Sequence, residues 1–451
     1  MAKKFIPIDR TLPITLPANM DGWLDPNSLA YFVVDVVNQL DLTDIEDSYS
    51  PGGSLPYPPS IMVSLLFYGY AKGIFSSRKL EAATYELIPM IYICGGTHPD
   101  HTSISSFRKR FMPQLKGLFV DILMYASELG VLQLGDISID GTKIQANASK
   151  HKAMSWDYAQ RLEEQLTQEV EQLLAKAEES SKGVASEINI PEEIERRESR
   201  LGKIAQIKAE IERRAQERYE QEQSEYEAKL EERANKEAKL GRKLGGRKPT
   251  APVPGPRGKD QVSFTDGDSR IMPTSGGSFE QAYNAQASVD MDTMLIVGAH
   301  VSQKTNDKQE VAPALNQLDA LPDQMGQVKR AALDSGYFSE TNSTLLEEHE
   351  IDAYIATGRQ SHNLSLEQRL ASEPEPPTTA DVKTQMTYRL QTEEGKAFYA
   401  KRKSTVEPVF GIIKEAMGFR RFLLRGLEAV EGEWTLVCIA FNLKRLCQLA
   451  S

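Results

Sequence analysis

Hydrophobic and polar positions alternate in different ways along the 451-residue chain. From 60 to 72 the sequence is almost continuously apolar over a helical length. From 78 to 87, Leu80, Ala83, Tyr85 and Leu87 recur at helix-compatible positions behind Ser76 and Ser77, whose side chains suit an N-cap. Gly95, Gly96 and Pro99 then break the chain before a second segment, capped by Thr102 or Ser103 and running to Phe111. Residues 1–133 therefore predict a helical N-terminal domain. Residues 134–144 change period. Ile137 and Ile139 alternate with their flanks and the run stops at Asp140-Gly141-Thr142, which predicts a strand with an acid at its edge.

Residues 156–240 change character again. Glu, Gln, Lys, Arg and Ala dominate, with Leu162, Leu166, Leu173, Ile194, Leu201, Ile204, Ile211 and Ala215 at helical spacing. Gly183 and Pro191 split the stretch, and Pro is tolerated where a helix begins. An antiparallel helical hairpin or coiled coil is expected over 156–246, a single solvated helix being the simpler alternative. A basic Pro/Gly linker is expected over 247–278. From 279 the pattern turns α/β, with strands at 283–289 and 295–301 joined by Asp290-Met291-Asp292-Thr293. A helix at 308–319, a strand at 330–333, a helix at 341–349 and a strand at 351–356 follow. Residues 360–395 are polar and Pro-rich and are expected to form a loop. Helices resume at Phe398, the last over 434–449.

Composition narrows the class. Hydrophobic residues are 40% and charged residues 26%, enough apolar material for a core. The apolar runs at 61–70 and 87–94 fall well short of the ~20 residues that span a bilayer. No signal peptide is expected at the start, and no membrane partner. Three cysteines exclude a disulfide framework and, with six histidines and no C-x-x-C, argue against structural zinc. The expectation is a cytoplasmic, soluble protein. The net charge of −11 does not suggest a nucleic-acid binder, but the charge is segmented. Residues 396–426 hold eight basic and two acidic side chains. Arg108, Lys109 and Arg110 close a segment compatible with a helix-turn-helix reader of DNA, and equally with a bundle helix carrying a solvated basic face.

Three acids stand out by context. Asp140 follows a β run and precedes Gly-Thr-Lys, Asp334 follows a β run and precedes Ser-Gly-Tyr, and Glu407 lies in the basic helical segment. Acids at strand ends, joined by one from a later helix, can converge on one sheet edge. Three carboxylates suit hard cations such as Mg²⁺, and two such ions can activate water or a 3′-hydroxyl for phosphodiester chemistry. Singly, an Asp after a strand is more often a turn residue.

The wording around the acids adds to this. Asp140-Gly141-Thr142-Lys143 with Ala146-Asn147-Ala148-Ser149, Asp334-Ser335-Gly336-Tyr337, and Tyr399-x2-Arg402-x4-Glu407-x6-Lys414 resemble the three acidic motifs of DDE-type insertion-sequence transposases, the third being the Tyr-Arg-Glu-Lys signature. Val406-Glu407-Pro408-Val409-Phe410-Gly411, Gly418-Phe419-Arg420-Arg421 and Thr265-Asp266-Gly267-Asp268-Ser269-Arg270 extend the resemblance. The signature usually puts three residues between Arg and Glu. Here there are four, and Lys403 sits at the usual spacing.

The resemblance implies an α/β, RNase H-like core with a mixed five-stranded sheet, its first strand in 134–155 and the remainder in 279–451, interrupted by the helical insertion. It implies Asp140, Asp334 and Glu407 as catalytic metal ligands for Mg²⁺ or Mn²⁺, two ions in all. Tyr399, Arg402, Lys403, Lys414, Arg420, Arg421 and Arg425 are the expected DNA contacts, together with Arg108, Lys109 and Arg110. The implied partners are double-stranded DNA, as terminal inverted repeats and target, and further copies of the chain, at least a dimer on DNA, at the nucleoid. The alternative is a catalytically inactive, transposase-derived DNA-binding protein.

Overall fold

The computed structural model describes residues 19–50, 55–180, 189–243, 245, 248–274, 277–358, 376–377 and 381–450. Its strands, in chain order, are β1 (Leu134–Gln145), β2 (Ala153–Ser155), β3 (Gln261–Ser263), β4 (Arg270–Pro273), β5 (Phe279–Asp290), β6 (Ile296–Ser302), β7 (Gly326–Leu333) and β8 (Asp352–Ile355). Contacts divide the chain into two units, one of residues 1–145 with 283–451, the other of residues 146–282.

The first unit is a mixed α/β body. The sheet has six strands, one more than the five expected, in the order β4-β5-β1-β7-β8 with β6 also pairing with β5. β5 and β6 are antiparallel, whereas β1–β7 and β7–β8 are parallel. β6, though it pairs only with β5, is buried along its whole length because helices Val311–Asp319 and Leu427–Leu449 pack on it. Helix Leu427–Leu449 packs against β6 and against helices Leu29–Val37, Pro59–Ala71 and Leu115–Glu128. It is apolar almost all round because it lies between the sheet and the N-terminal helices. Its few polar groups are used. Asn442 bridges Ile296 by bonds of 2.9 and 2.8 Å, and Trp434 Nε1 donates to the Gln286 carbonyl at 2.9 Å. A buried side chain of this size contributes about 1.5–3 kcal/mol, so this helix is a main tie between the N-terminal helices and the sheet.

The expected strands appear with shifted ends. β1 continues through Asp140 to Gln145, because ladder bonding keeps the backbone extended after the apolar alternation has ended. Within the segment expected as a loop, Val382–Gln391 is a helix capped by Asp381, which buries Met386 and Leu390; residues 359–375 and 378–380 lie outside the described residues. Between Ser77–Glu86 and His101–Arg110 a further helix, Ile88–Ile93, intervenes, and the cap of His101–Arg110 is Asp100, which accepts from the Thr102 and Ser103 amides.

In the second unit β2 pairs antiparallel with β3, within the segment expected as a linker. Helices Trp156–Ser180 and Ile190–Leu240 run antiparallel, since Glu163 meets Lys208 at 2.6 Å and Glu169 meets Arg197 at 2.7 Å. Met154, Ala159, Leu166, Ile204, Ile207, Ile211 and Val262 form the core of this unit. At 1.5 Å per residue the longer helix spans about 75 Å, and the stretch after Ile211, about eight turns or 40 Å, lies beyond those core residues. Thr265–Arg270 forms a turn in which Asp266 and Ser269 are buried, Ser269 Oγ donating to Gln281 at 2.8 Å.

Candidate active site

The register of two parallel strands sets the centre. Ile139 pairs with Leu333, so Asp140 and Asp334, the next residues, come side by side, Asp140 midway along β1 and Asp334 just past the carboxyl end of β7. Asp140 Oδ1 accepts its neighbour's amide, Gly141 N, at 2.9 Å. Asp334 Oδ1 accepts from Gly336 N at 2.7 Å. Burial pushes the Asp140 carboxyl up to about 6, with Arg402 opposing and the charges of Asp334 and Asp307 reinforcing.

Glu407 stands on the short helix Val406–Gly411, exposed at its side chain. An α-helix would turn residues five apart well away from one another. Here a 3₁₀ turn at Arg402–Ser404 and a break at Thr405 (φ −116°, ψ −84°) intervene, and the Arg402 guanidinium spans both acids. Its Nη2 lies 2.7 Å from Asp140 Oδ2 and its Nη1 3.3 Å from Glu407 Oε1. Burial alone would lower the Arg402 pKa, but Asp140 and the surrounding anions raise it overall. The extra residue between Arg402 and Glu407 is thus absorbed by the local change of helix type. Lys403, at the usual signature spacing, is exposed.

Lys414 sits in a π-helical turn, Ile412–Ala416, rather than two regular turns after Glu407. Its ammonium donates to Thr142 Oγ1 and, at 3.2 Å, to the Lys143 carbonyl on β1. Burial, with Arg420 adding to it, holds its pKa below the usual lysine value. Tyr399 is half-buried, and burial raises its phenol despite Arg402. Arg420, Arg421 and Arg425 are exposed, with Arg420 on Glu415. Arg108 departs from expectation. It is buried, donating to Tyr70 Oη at 2.9 Å and the Phe75 carbonyl at 3.0 Å, and does not belong to a DNA-facing surface. Lys109 is exposed, and Arg110 donates to the Ser48 carbonyl and lies over Tyr49.

Sequence reasoning missed a fourth acid. Asp307 Oδ1 accepts from Asn284 Nδ2 at 2.7 Å, Gln286 Nε2 at 2.9 Å and Lys143 Nζ at 3.3 Å. Gln286 Oε1 in turn accepts from the buried Tyr337 hydroxyl. The buried amides of β5, Asn284 and Gln286 among them, were the available signal.

The site's donors are carboxylate oxygens, which suits a hard cation. Among the described residues no three acidic, His or Cys side chains are grouped closely enough to hold one ion. The buried Asn284 Oδ1 has no hydrogen-bond partner, an unused oxygen next to Gly141, the residue after Asp140.

Residues 250–443 match the Transposase DDE domain family and residues 18–110 match the Transposase domain (DUF772) family, together more than half of the chain. The chain belongs to the DDE-type insertion-sequence transposases. It therefore has the function class of a transposase, from a family of DNA-cleaving and DNA-transferring enzymes. No curated protein and no solved structure matches the chain. No helix among the described residues is long and apolar enough to cross a membrane.

Proposed function

We propose that the chain binds the terminal inverted repeats of its own element, cleaves DNA there and joins the freed 3′-hydroxyl to a target. Asp140, Asp334 and Glu407 are the catalytic carboxylates of this reading, which belongs to the Tyr-Arg-Glu-Lys subgroup. The observation that carries it is the Ile139–Leu333 register, which sets Asp140 beside Asp334, with Glu407 joined to Asp140 through Arg402. Asp140, Asp334 and Glu407 would hold two Mg²⁺ or Mn²⁺ ions, which would supply activation of the attacking hydroxyl and stabilisation of the leaving oxygen.

The chain's own residues do the rest. Arg402 holds Asp140 and Glu407 in register, and its planar fork suits phosphate oxygens as well. Lys414 positions the end of β1 through Thr142 and stands close enough to neutralise a strand entering beside it. Lys403, Arg420, Arg421 and Arg425 clamp the DNA backbone, Tyr399 stacks on a base or sugar, and Lys109 and Arg110 extend the contact. The helical pair at 156–240 serves to join two copies, since paired DNA ends need at least a dimer. The setting is the nucleoid.

The test is nicking of terminal-repeat DNA with Mg²⁺ or Mn²⁺. D140N and E407Q should abolish nicking and keep DNA binding. Either variant cutting at the wild-type rate overturns the assignment.

A further inference from the structure

Asp307 lies five residues beyond β6, just ahead of helix Val311–Asp319. Its Oδ1 is committed to Asn284, Gln286 and Lys143. Its Oδ2 is the oxygen nearer Gly336. It lies 3.5 Å from the point where a Cβ on Gly336 would stand, and Asp334 Oδ1 lies 2.9 Å from that same point. One oxygen of each carboxylate thus stands against the same glycine.

The local cations approach the acids from other sides. Arg402 is on Asp140 and Glu407, and Lys143 is on the far oxygen of Asp307. A second, independent feature points the same way. Asn284 is fully buried, donates its amide to Asp307, and leaves Oδ1 unpartnered 3.0 Å from the Cβ position of Gly141, the residue after Asp140. A buried acceptor without a donor beside a set of carboxylates lacks a positive or hydrogen-bonding partner.

We propose that Asp307 is a fourth carboxylate of the catalytic centre and shares with Asp334 a seat for one divalent cation. This rests on the metal-dependent reading above and assigns one of its ions. Mg²⁺ is commonly held by only one or two carboxylates, completed by waters and substrate phosphate, so the pair is sufficient. The rigid amide pad under Oδ1 fixes the direction of Oδ2, as supporting bonds do for ligating carboxylates generally.

The test is Mn²⁺ binding to the full chain without DNA, by calorimetry, for wild type, D307N, D307E, D140N and D334N. D307N keeps an acceptor for the three donors. It should weaken one Mn²⁺ site tenfold or more while still melting cooperatively in EDTA, below the wild type because Lys143 loses its charged partner, and D307E should recover part of both losses. If D140N and D334N weaken Mn²⁺ binding and D307N does not, the role given to Asp307 is wrong and the wider reading stands. If none of the three weakens it, the metal-dependent reading itself falls. Wild-type protein supplies a check that needs no variant. Fe²⁺ in place of Mn²⁺, with peroxide and ascorbate, cuts the backbone near the bound ion. Cuts around 306–308 and 334–336 support the seat, and cuts confined to the neighbourhoods of 140 and 407 overturn it.

Discussion

Arg402 Nη2 lies 2.7 Å from Asp140 Oδ2, so the cation nearest this carboxylate is a side chain of the chain itself. The pair is largely buried, with side-chain exposures of 10% and 16%. Breaking a buried pair from one side typically costs about 3–5 kcal/mol because the remaining charge is stranded. R402Q should therefore melt lower than wild type in EDTA. It should also gain more stability from Mn²⁺, since the ion no longer competes with a guanidinium. Thermal unfolding with and without Mn²⁺ measures both. An equal metal-induced shift in the two proteins would falsify the competition.

The raised pKa of Asp140 sets a pH dependence. Burial lifts its carboxyl from 3.8 to about 6 in the folded chain. Between about pH 4 and 6 the folded state keeps a proton that the unfolded state has released. Stability in chelator therefore falls as pH rises through that window, by up to ~3 kcal/mol, and is then level. D140N has no such proton to lose, so its stability should vary less across the same range. Urea unfolding at half-unit pH intervals checks this. Parallel curves for the two proteins would remove Asp140 as the source.

Arg108 and Lys109 should separate folding from binding. Arg108 donates to Tyr70, whose hydroxyl also donates to the buried Glu433 at 3.3 Å. Burial already pushes the Glu433 carboxyl up. R108A removes the nearby positive charge and should destabilise the chain by about 3–5 kcal/mol. K109A, at an exposed position, should leave stability within about 0.5 kcal/mol and weaken terminal-repeat binding in a salt-dependent way. Denaturation and binding isotherms at two salt concentrations decide the matter. A stable R108A with weak DNA binding would reverse the two roles.

These cases mark what the sequence made legible. The strands β1 and β5–β8 were visible because apolar runs of strand length lie between Gly, Asp and Asn turns. Arg108 was read with Lys109 and Arg110 as one basic face, yet successive helical residues turn by about 100°. Ile104 lies four residues earlier, on the same buried side as Arg108. The helix Val382–Gln391 was hidden by polar composition and the prolines before it. Its two buried residues, Met386 and Leu390, too few to make a periodic signal, are what it gives to the packing. Asp307 was invisible because its partners Asn284 and Gln286 are more than twenty residues away and are brought to it only by the β5–β6 hairpin.

Gly141 should prove a site residue although it has no side chain. A Cβ there would stand 2.1 Å from Gln286 Nε2 and 3.0 Å from Asn284 Oδ1, the two amides that hold Asp307. Overpacking of this kind costs about 1–3 kcal/mol, which a core of this size can absorb. The displaced amide, however, must leave Asp307, Tyr337 or both. G141A should therefore remain folded, lose at least tenfold in cleavage, and bind Mn²⁺ more weakly. G117A is the matched control. Gly117 lies in helix Leu115–Glu128 with open space at its Cβ position, where alanine favours the helix by up to about 1 kcal/mol. Melting, nicking and Mn²⁺ titration of the two variants side by side test whether the amide pad matters. If G141A cuts and binds metal as G117A does, the pad is packing alone and Asp307 needs no fixed orientation.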